Sequence, residues 1–294
     1  MKMNFAKTRF YLSTRLILLA GLALTLALFG SGVAVARTLI PADMNGDHKP
    51  DLVLQGGSGI PFPQQTGIWY MNNNNFVGAL FGPTLPSDWF IRGVADFNGD
   101  GHPDFLLEHD FGAPFGGETG IWYMNNNNFV GALNGPSLPA NWDIMAVADF
   151  NGDGHPDLVL QGGPLGNQTA IWYMNNNNFL FGKFGPTLPV FSGWFVMAAA
   201  DMNGDGHPDF VLFNFSTHET GIWYMNNNNF VGALSGPTLP SNWELFGVAD
   251  FNGDGHPDFL LRGFGVNTRQ TGIWYMNNNN FVGALFGPTL PVGW

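Results

Sequence analysis

The sequence predicts an all-β protein, a five-bladed β-propeller of four-stranded antiparallel blades, and three observations predict it. Of the 294 residues 41 are Gly and 20 are Pro, while 45% are hydrophobic, a composition typical of many short strands joined by tight turns. Three motifs recur five times each at intervals of about fifty residues, which is a period of propellers and solenoids. Each repeat also divides into four short apolar segments separated by Gly, Asn and Pro, as strands and their turns do.

The first segment, residues 1–36, is predicted to be a secretory signal peptide. Four cations and no acid precede Leu16, an uncharged apolar run follows, and Ala34-Val35-Ala36 ends it, a pattern typical of cleavage after Ala36. The alternative is a retained membrane anchor, because an uncharged run of this length can span roughly 30 Å of hydrocarbon as a helix. Cleavage would take the formal charge from −12 to −16, since four cations and no acids are lost. We therefore expect a secreted or cell-envelope protein whose propeller occupies residues 37–294.

The four strands are clearest in the second repeat. Residues 89–97, 104–110, 119–124 and 129–135 are each apolar and are separated by turn-forming residues. In the third of these segments large apolar residues alternate onto both faces, so we expect this strand to be covered on both sides. Four strands covered on both faces describe one propeller blade between two others. The Asn tetrad 125–128 is predicted to form a hairpin turn, because Asn tolerates positive φ.

A tryptophan seven residues before each loop motif predicts closure of the ring. It is present before four of the five motifs, at Trp89, Trp142, Trp194 and Trp243. Before the first motif the same position is Ala36, at the end of the predicted signal peptide, and the fifth copy is the final residue, Trp294. We expect Trp294 to supply the aromatic side chain that blade 1 lacks, so that blade 5 packs on blade 1. The alternative is a larger ring assembled from more than one chain.

The loop motif D-x-N-G-D concentrates the acidic residues of the chain. Each copy spans nine residues and supplies oxygen atoms at positions 1, 3, 5 and 9, with a backbone carbonyl at position 7. The candidate metal ligands, in chain order, are Asp43, Asn45, Asp47, Lys49 and Asp51; Asp96, Asn98, Asp100, His102 and Asp104; Asp149, Asn151, Asp153, His155 and Asp157; Asp201, Asn203, Asp205, His207 and Asp209; and Asp250, Asn252, Asp254, His256 and Asp258.

This oxygen-rich set predicts one calcium ion per repeat, about five in all. Three carboxylates in so short a loop repel one another, and a bound cation would neutralise them. The spacing matches the first part of an EF-hand loop, in which position 6 favours Gly. The match is partial, because Leu occupies position 12 where the EF-hand has a bidentate Glu, so we expect weak binding. Repeat 1 has His48 at position 6 and should be the weakest site. The alternative is an Asx-rich turn without metal.

The string D-F-N-G-D-G-H-P-D, which runs into an apolar strand, resembles the FG-GAP (also called VCBS) repeats of integrin α-chain propellers and of many secreted bacterial proteins. The recurring GIWYMN strand is also similar to bacterial proteins of that class. The resemblance covers all five repeats. It implies a β-propeller that binds calcium in a hairpin loop of each blade through the loop residues named above. Because the family includes adhesion, sugar-binding and enzyme-accessory domains, the resemblance indicates the fold and the metal but not the ligand.

The remaining features favour a non-catalytic binding or adhesion module. The acidic balance argues against a nucleic-acid partner, and zero Cys excludes disulfides and zinc-thiolate sites. The groupings of acid and His residues outside the loops occur in single copies and suggest no nucleophile–base pair, so no enzyme is expected; their members are Glu108, His109, Glu118, His218 and Glu219. The expected partner is an extracellular glycan or a cell-surface protein. The four tryptophans before the loops and Trp294 either pack between blades or stack on sugars. The alternative is a structural envelope or matrix protein in which calcium only stabilises the fold.

Overall fold

The computed structural model describes residues 38–56, 64–109 and 117–294, which form five four-stranded sheets. The predicted signal peptide, residues 1–36, lies outside the described residues. Within the described part of the chain, the helical structure is one three-residue 3-10 turn, Gly265–Asn267, and none of it is long and apolar enough to cross a bilayer.

The twenty strands are β1 (Thr38–Ala42), β2 (Asp51–Gln55), β3 (Gln65–Asn72), β4 (Asn75–Thr84), β5 (Trp89–Ala95), β6 (Asp104–His109), β7 (Thr119–Asn125), β8 (Asn128–Asn134), β9 (Trp142–Ala148), β10 (Asp157–Gly162), β11 (Gln168–Asn175), β12 (Asn178–Phe184), β13 (Trp194–Ala200), β14 (Asp209–Asn214), β15 (Glu219–Asn226), β16 (Asn229–Thr238), β17 (Trp243–Ala249), β18 (Asp258–Gly263), β19 (Gln270–Asn277) and β20 (Asn280–Thr289).

Each blade is one repeat, built from four consecutive strands that pair antiparallel with their neighbours in chain order. The first strand of each blade contacts the first strands of the two adjacent blades, and β1 contacts both β5 and β17. The ring therefore closes within a single chain. The predicted five-bladed propeller is confirmed, and a ring shared between chains is not needed to explain the repeats.

Burial falls sharply from the second strand of a blade to the fourth. All six residues of β6 are buried, and in the outer strand β8 six of seven are exposed. The second strands are covered on both faces by neighbouring blades, and each accordingly has three or four consecutive apolar residues after its first Asp. The expectation of cover on both faces fails at the fourth strand, because blades diverge with distance from the ring axis and neighbouring outer strands touch without covering each other's faces.

Five hydrophobic clusters hold the ring together, one at each boundary between blades. The cluster between blades 5 and 1 combines Leu52 and Leu54 of blade 1 with Phe251 and Leu260 of blade 5. Trp294 belongs to the same cluster and is only 5% exposed. The boundary that closes the ring is thus packed in the same way as the four others.

Trp294 occupies in blade 1 the place that the first tryptophan of the repeat occupies in the other blades. Its ring lies so close to Gly67 that a Cβ there would be 2.9 Å away, and the Trp89 ring lies over Gly120 in blade 2 in the same way. Four of the five blades have Gly at this position of the third strand and blade 3 has Ala170, because the indole packs close to the backbone and leaves room for only a small side chain. The expectation that the C-terminal tryptophan completes blade 1 is confirmed.

Candidate metal centre

The loop between the first and second strands of each blade is a compact turn held by its own side chains. In repeat 2 the Asp96 carboxylate accepts hydrogen bonds from the backbone N–H groups of Gly99, Asp100 and Gly101, at 2.7, 3.1 and 2.8 Å. The Asn98 Oδ1 atom accepts from the Asp100 N–H at 2.9 Å. These bonds draw positions 1, 3 and 5 of the loop together around its backbone.

Two positions of the loop need a left-handed backbone. Gly99 and Gly101 have φ of 75° and 87°, a region that Gly enters without the steric cost of a Cβ. The expected Gly preference at position 6 therefore has a conformational cause. In repeat 1, His48 takes this conformation with φ 64°, and its side chain is 97% exposed. The lower calcium affinity expected for repeat 1 stays a prediction.

The aspartate at position 9 differs from the other acids because it is fully buried. In repeat 2 the Asp104 carboxylate accepts from the Phe97 N–H at 3.1 Å and from the Met124 N–H at 2.9 Å. It therefore ties the loop to the third strand of the same blade. Burial raises the pKa of this carboxyl from 3.8 to about 6, although the two amide hydrogen bonds act in the opposite direction. The same raised pKa applies to all five position-9 residues, Asp51, Asp104, Asp157, Asp209 and Asp258.

The aspartate at position 5 is exposed and ionises easily. The Asn98 side-chain amide donates to Asp100 Oδ2, and the His102 N–H donates to Asp100 Oδ1, both at 2.9 Å. These two bonds hold the pKa of the Asp100 carboxyl below its ordinary value of 3.8. The loop thus contains one carboxyl that stays charged to low pH and one whose charge is disfavoured by burial.

The oxygen atoms of the loop suit a hard cation as ligands, but in this structure the carboxylates accept hydrogen bonds from backbone N–H groups of the loop. Among the described residues, no three or more His, Cys, Asp or Glu side chains are arranged as a group that could hold a metal ion. An ionised carboxylate offers about four acceptor positions, and the three N–H groups around Asp96 leave part of that capacity for a further ligand. The chemistry of the set, carboxylate and amide oxygen with no sulfur, fits calcium.

A second candidate site lies on the blades themselves, beside the tryptophans. On blade 4 a cleft of about 230 Å³ is lined by Trp194, Trp223, Gly221 and Ser235. On blade 5 a cleft of about 210 Å³ lies at the same place and is lined by both tryptophans of that blade and by Phe286. No lining residue of either cleft is ionisable. Each cleft therefore presents apolar and indole surface to a neutral ligand, and in blade 5 that surface comes mainly from Trp274 because Trp243 is only 9% exposed.

The single-copy acid and His residues make local contacts. The Glu108 carboxylate is buried and lies 2.9 Å from the Arg92 Nε atom. The His109 ring stacks on Trp89, with 5.0 Å between ring centroids. His218 Nδ1 lies 3.4 Å from the carbonyl oxygen at the start of β17. These contacts tie the ends of the second and third strands to first-strand residues.

The Asn tetrads make contacts between blades that the sequence analysis missed. The third Asn of each tetrad donates to a backbone carbonyl of the preceding blade's outer strand; the donors are Asn74, Asn127, Asn177, Asn228 and Asn279. At four boundaries a tyrosine hydroxyl of the preceding blade also donates to the second Asn, as from Tyr70 to Asn126. A Tyr recurs three residues before the second Asn of each tetrad, and this repetition was the only sign in the sequence of a contact between one blade and the tetrad of the next.

The fold and its loops define a repeat protein of the β-propeller class. The sequence pattern of the FG-GAP-like repeat matches residues 43–107, 149–212 and 201–261. Because these matches cover more than half of the chain, the protein belongs to the FG-GAP repeat family. A fold of this kind is that of a binding or structural module, and the resemblance noted from the sequence is confirmed.

Comparison with individual proteins adds little beyond the fold. No curated protein matches the chain in sequence. The solved structures to which it is similar include the Tc holotoxin pore of Photorhabdus luminescens, at 17% identity over 88% of this chain and 12% of that one, with a TM-score of 0.43. The Dos1 propeller is 11% identical over 85% of this chain and 58% of that one, with a TM-score of 0.38. The chain thus spans about an eighth and somewhat over half of the lengths of these two proteins.

Proposed function

We propose that the protein is a secreted calcium-binding propeller that acts as a non-catalytic binding module for extracellular glycans. The observation that carries the proposal is the uncharged cleft beside two tryptophans, present at the same place on blades 4 and 5. The apolar face of a sugar ring suits an indole, while Ser235 and Thr220 line the blade 4 cleft and bring hydroxyl groups that can bond to a sugar. The absence of ionisable lining residues favours a neutral sugar over a charged one.

Repetition would convert weak sites into firm attachment. A shallow cleft of about 200 Å³ is small for a ligand site, since pockets for drug-sized ligands occupy roughly 300–1,000 Å³, so each site should bind a single sugar weakly. The clefts lie at the same place on two adjacent blades, 4 and 5. A surface that carries many copies of one glycan can engage several of them together, and the gain in avidity needs no further contact. A secreted protein that binds a repetitive cell surface is the role that this arrangement serves.

Calcium is proposed to occupy the loop of each repeat. In repeat 2 the ligands would be Asp96, Asn98, Asp100 and Asp104 with the carbonyl oxygen of His102, and the equivalent residues would serve in the other repeats. When bound, the ion supplies positive charge where the three carboxylates repel one another. Export to a calcium-rich exterior agrees with the weak affinity, about 10⁻⁴ M, of extracellular modules.

The second candidate function is a structural protein of the envelope or matrix, in which calcium only stabilises the fold. The observation that favours it is the buried position-9 carboxylate, which joins the loop to the third strand in every blade. An ion at such a joint would stiffen the blade without touching any partner.

A glycan array separates the two functions. The purified protein is applied with calcium, and again with a chelator after confirming by circular dichroism that the fold persists. Binding to a defined set of glycans supports the binding module, and its loss in chelator supports a role for the loops. Silence on all glycans, with an intact fold, would exclude the glycan-binding proposal and leave a scaffold or a protein partner.

A further inference from the structure

The outer strands of the blades form an apolar rim that this fold leaves exposed. Of the 23 exposed large hydrophobic residues in the described part of the chain, 18 lie on the fourth strands. In blade 1 these are Phe76, Val77, Leu80 and Phe81, with exposed fractions from 45 to 68%. Monomeric proteins rarely expose contiguous apolar patches of more than a few hundred Å², and a larger patch commonly marks an interaction site. Outer strands are also sheet edges, which natural proteins usually protect with charge.

The five edges are not equivalent, and only one neighbouring pair is apolar throughout. The residue that ends the exposed run is Phe in three blades and polar in two; in chain order these residues are Phe81, Asn134, Phe184, Ser235 and Phe286. Because the ring closes between blades 5 and 1, those two are the only adjacent blades that both carry Phe. Their outer strands are in contact, and Asn74 Nδ2 donates to the Phe286 carbonyl oxygen at 2.9 Å.

Blade 3 also carries Phe, but it carries a charge beside it. Lys183 stands at the position that Leu occupies in the four other outer strands, and every residue of β12 is exposed. An edge lysine is a known protection against pairing with another chain. The chain itself thus shows that this position accepts Lys without loss of the blade. Blades 5 and 1 have no such residue.

We propose that the joined outer edges of blades 5 and 1, the 5–1 rim, form the interface of a symmetric homodimer. The rim comprises Phe76, Val77, Leu80, Phe81, Phe281, Val282, Leu285 and Phe286. Leu285 and Phe286 also line the blade 5 cleft, so the dimer would cover that cleft and leave the blade 4 cleft open to a glycan. With roughly 200 Å² for a fully exposed aromatic side chain and somewhat less for Val and Leu, the exposed fractions sum to on the order of 800 Å² per copy over both sides of the two strands, since successive side chains point to opposite faces. A stable interface buries about that area on each partner, so the second copy must cover both sides of the two edges.

A second copy is the occupant that the rim fits best. A two-fold interface uses the same patch on both copies, and two neighbouring near-identical strands allow the blade 1 edge of each copy to face the blade 5 edge of the other. The rim side chains are uncharged, aromatic and aliphatic, as in the core of homodimer interfaces. Both edges also carry a bulge near their start and a Pro near their end, which favours side-chain packing over a continuous sheet across the interface.

Sedimentation velocity of the full chain and two double variants tests the proposal. In the first variant Leu80→Lys and Leu285→Lys place lysine on the 5–1 rim at the position where blade 3 already has it. In the control, Leu133→Lys and Leu234→Lys make the same change in blades 2 and 4, where exposure is nearly equal at 44 and 42% against 45 and 46%. Near-equal melting temperatures of the variants establish that any difference does not come from unfolding.

The wild-type protein is expected to sediment as a dimer, at twice the mass of one copy, at micromolar concentration. The 5–1 rim variant is expected to raise the dimer dissociation constant by at least about 100-fold, because it buries two uncompensated charges per copy, while the control stays dimeric. A wild-type monomer at tens of micromolar, or equal dissociation of both variants, would overturn the proposal. A monomer that floats with phosphatidylcholine vesicles would do so as well, since lipid would then be what covers the rim.

Discussion

Replacing Trp294 with alanine should destabilise the propeller by about 3 kcal/mol. The side chain is 5% exposed, packs on Gly67 and lies with its ring centroid 6.1 Å from that of Phe81. Buried Trp→Ala changes cost roughly 3–5 kcal/mol, and the lower end applies because a terminal segment can relax around the lost ring. For a domain of this size that corresponds to a fall in melting temperature of roughly 6–12 °C.

Urea denaturation at 25 °C, followed by tryptophan fluorescence and circular dichroism together, measures the loss. Val292→Ala is the nearby control, because Val292 is 68% exposed and should change the free energy of unfolding by less than about 0.5 kcal/mol. Trp89→Ala removes the corresponding ring of blade 2 and sets the scale for a repeat whose tryptophan is internal to the chain. If Trp294→Ala costs less than about 1 kcal/mol while Trp89→Ala costs several, blade 1 does not depend on the C-terminal residue and the reasoning fails.

Three further predictions concern the packing and charge of the blades. Gly67→Ala should lower the free energy of unfolding by roughly 1–3 kcal/mol in the same denaturation assay, because its Cβ would lie 2.9 Å from the Trp294 ring. Gly120→Ala should lower it by less, since the nearest Trp89 atom would be 3.6 Å from the new Cβ. Equal losses would contradict this packing. Tyr275→Phe, which removes the hydroxyl that donates to Asn73 across the closing boundary, should cost about 1 kcal/mol, and no loss would mean that the contact is not formed in solution. In chelator, the melting temperature should rise as the pH falls from about 6 to 4. The pKa of the position-9 carboxyls is about 6 in the folded protein and 3.8 in the unfolded chain, so the folded state binds more protons in that window and is stabilised. A fall in melting temperature would refute the assigned pKa shift.

The sequence alone sufficed for the blade count, the strand positions and the closing role of Trp294. Repetition made this possible, because five near-identical copies mark strand and turn positions more firmly than a single copy. The predicted strands of repeat 2 differ from β5 to β8 by one or two residues at their ends. The tryptophan positions indicated where the ring closes. The first repeat lacks its tryptophan and Trp294 follows the last repeat, so the C-terminal residue can fill the vacant position of blade 1.

The exposed rim and the clamps between blades could not be read from the sequence in the same way. The apolar outer strand looks like a buried strand by composition, and only the radial spread of the blades decides that β4 remains uncovered. The Asn tetrads looked like turns, which they are, but the bonds of Asn126 and Asn127 to blade 1 depend on how neighbouring blades stack. The pairing of Arg92 with Glu108 likewise occurs in one blade only and leaves no repeated trace.

The candidate metal site is predictable in chemistry more than in geometry. Residue types and spacing identify which oxygens are available, and the positive φ at Gly99 and Gly101 follows from the same pattern. Spacing does not reveal that Asp104 is fully buried and bonded to two backbone N–H groups. The three carboxylates of one loop thus differ in burial, with Asp104 buried, Asp96 half-buried and Asp100 exposed, and any bound cation would have to satisfy all three.

Calorimetric titration of the metal-free protein with calcium, with the melting temperature followed in parallel, tests the central claim most directly. We expect about five sites of dissociation constant near 10⁻⁴ M, and each site should add on the order of 2.7 kcal/mol at a hundredfold excess over that value. No heat of binding and an unchanged melting temperature at 10 mM calcium would mean that the acidic loops are turns held by their own amides alone.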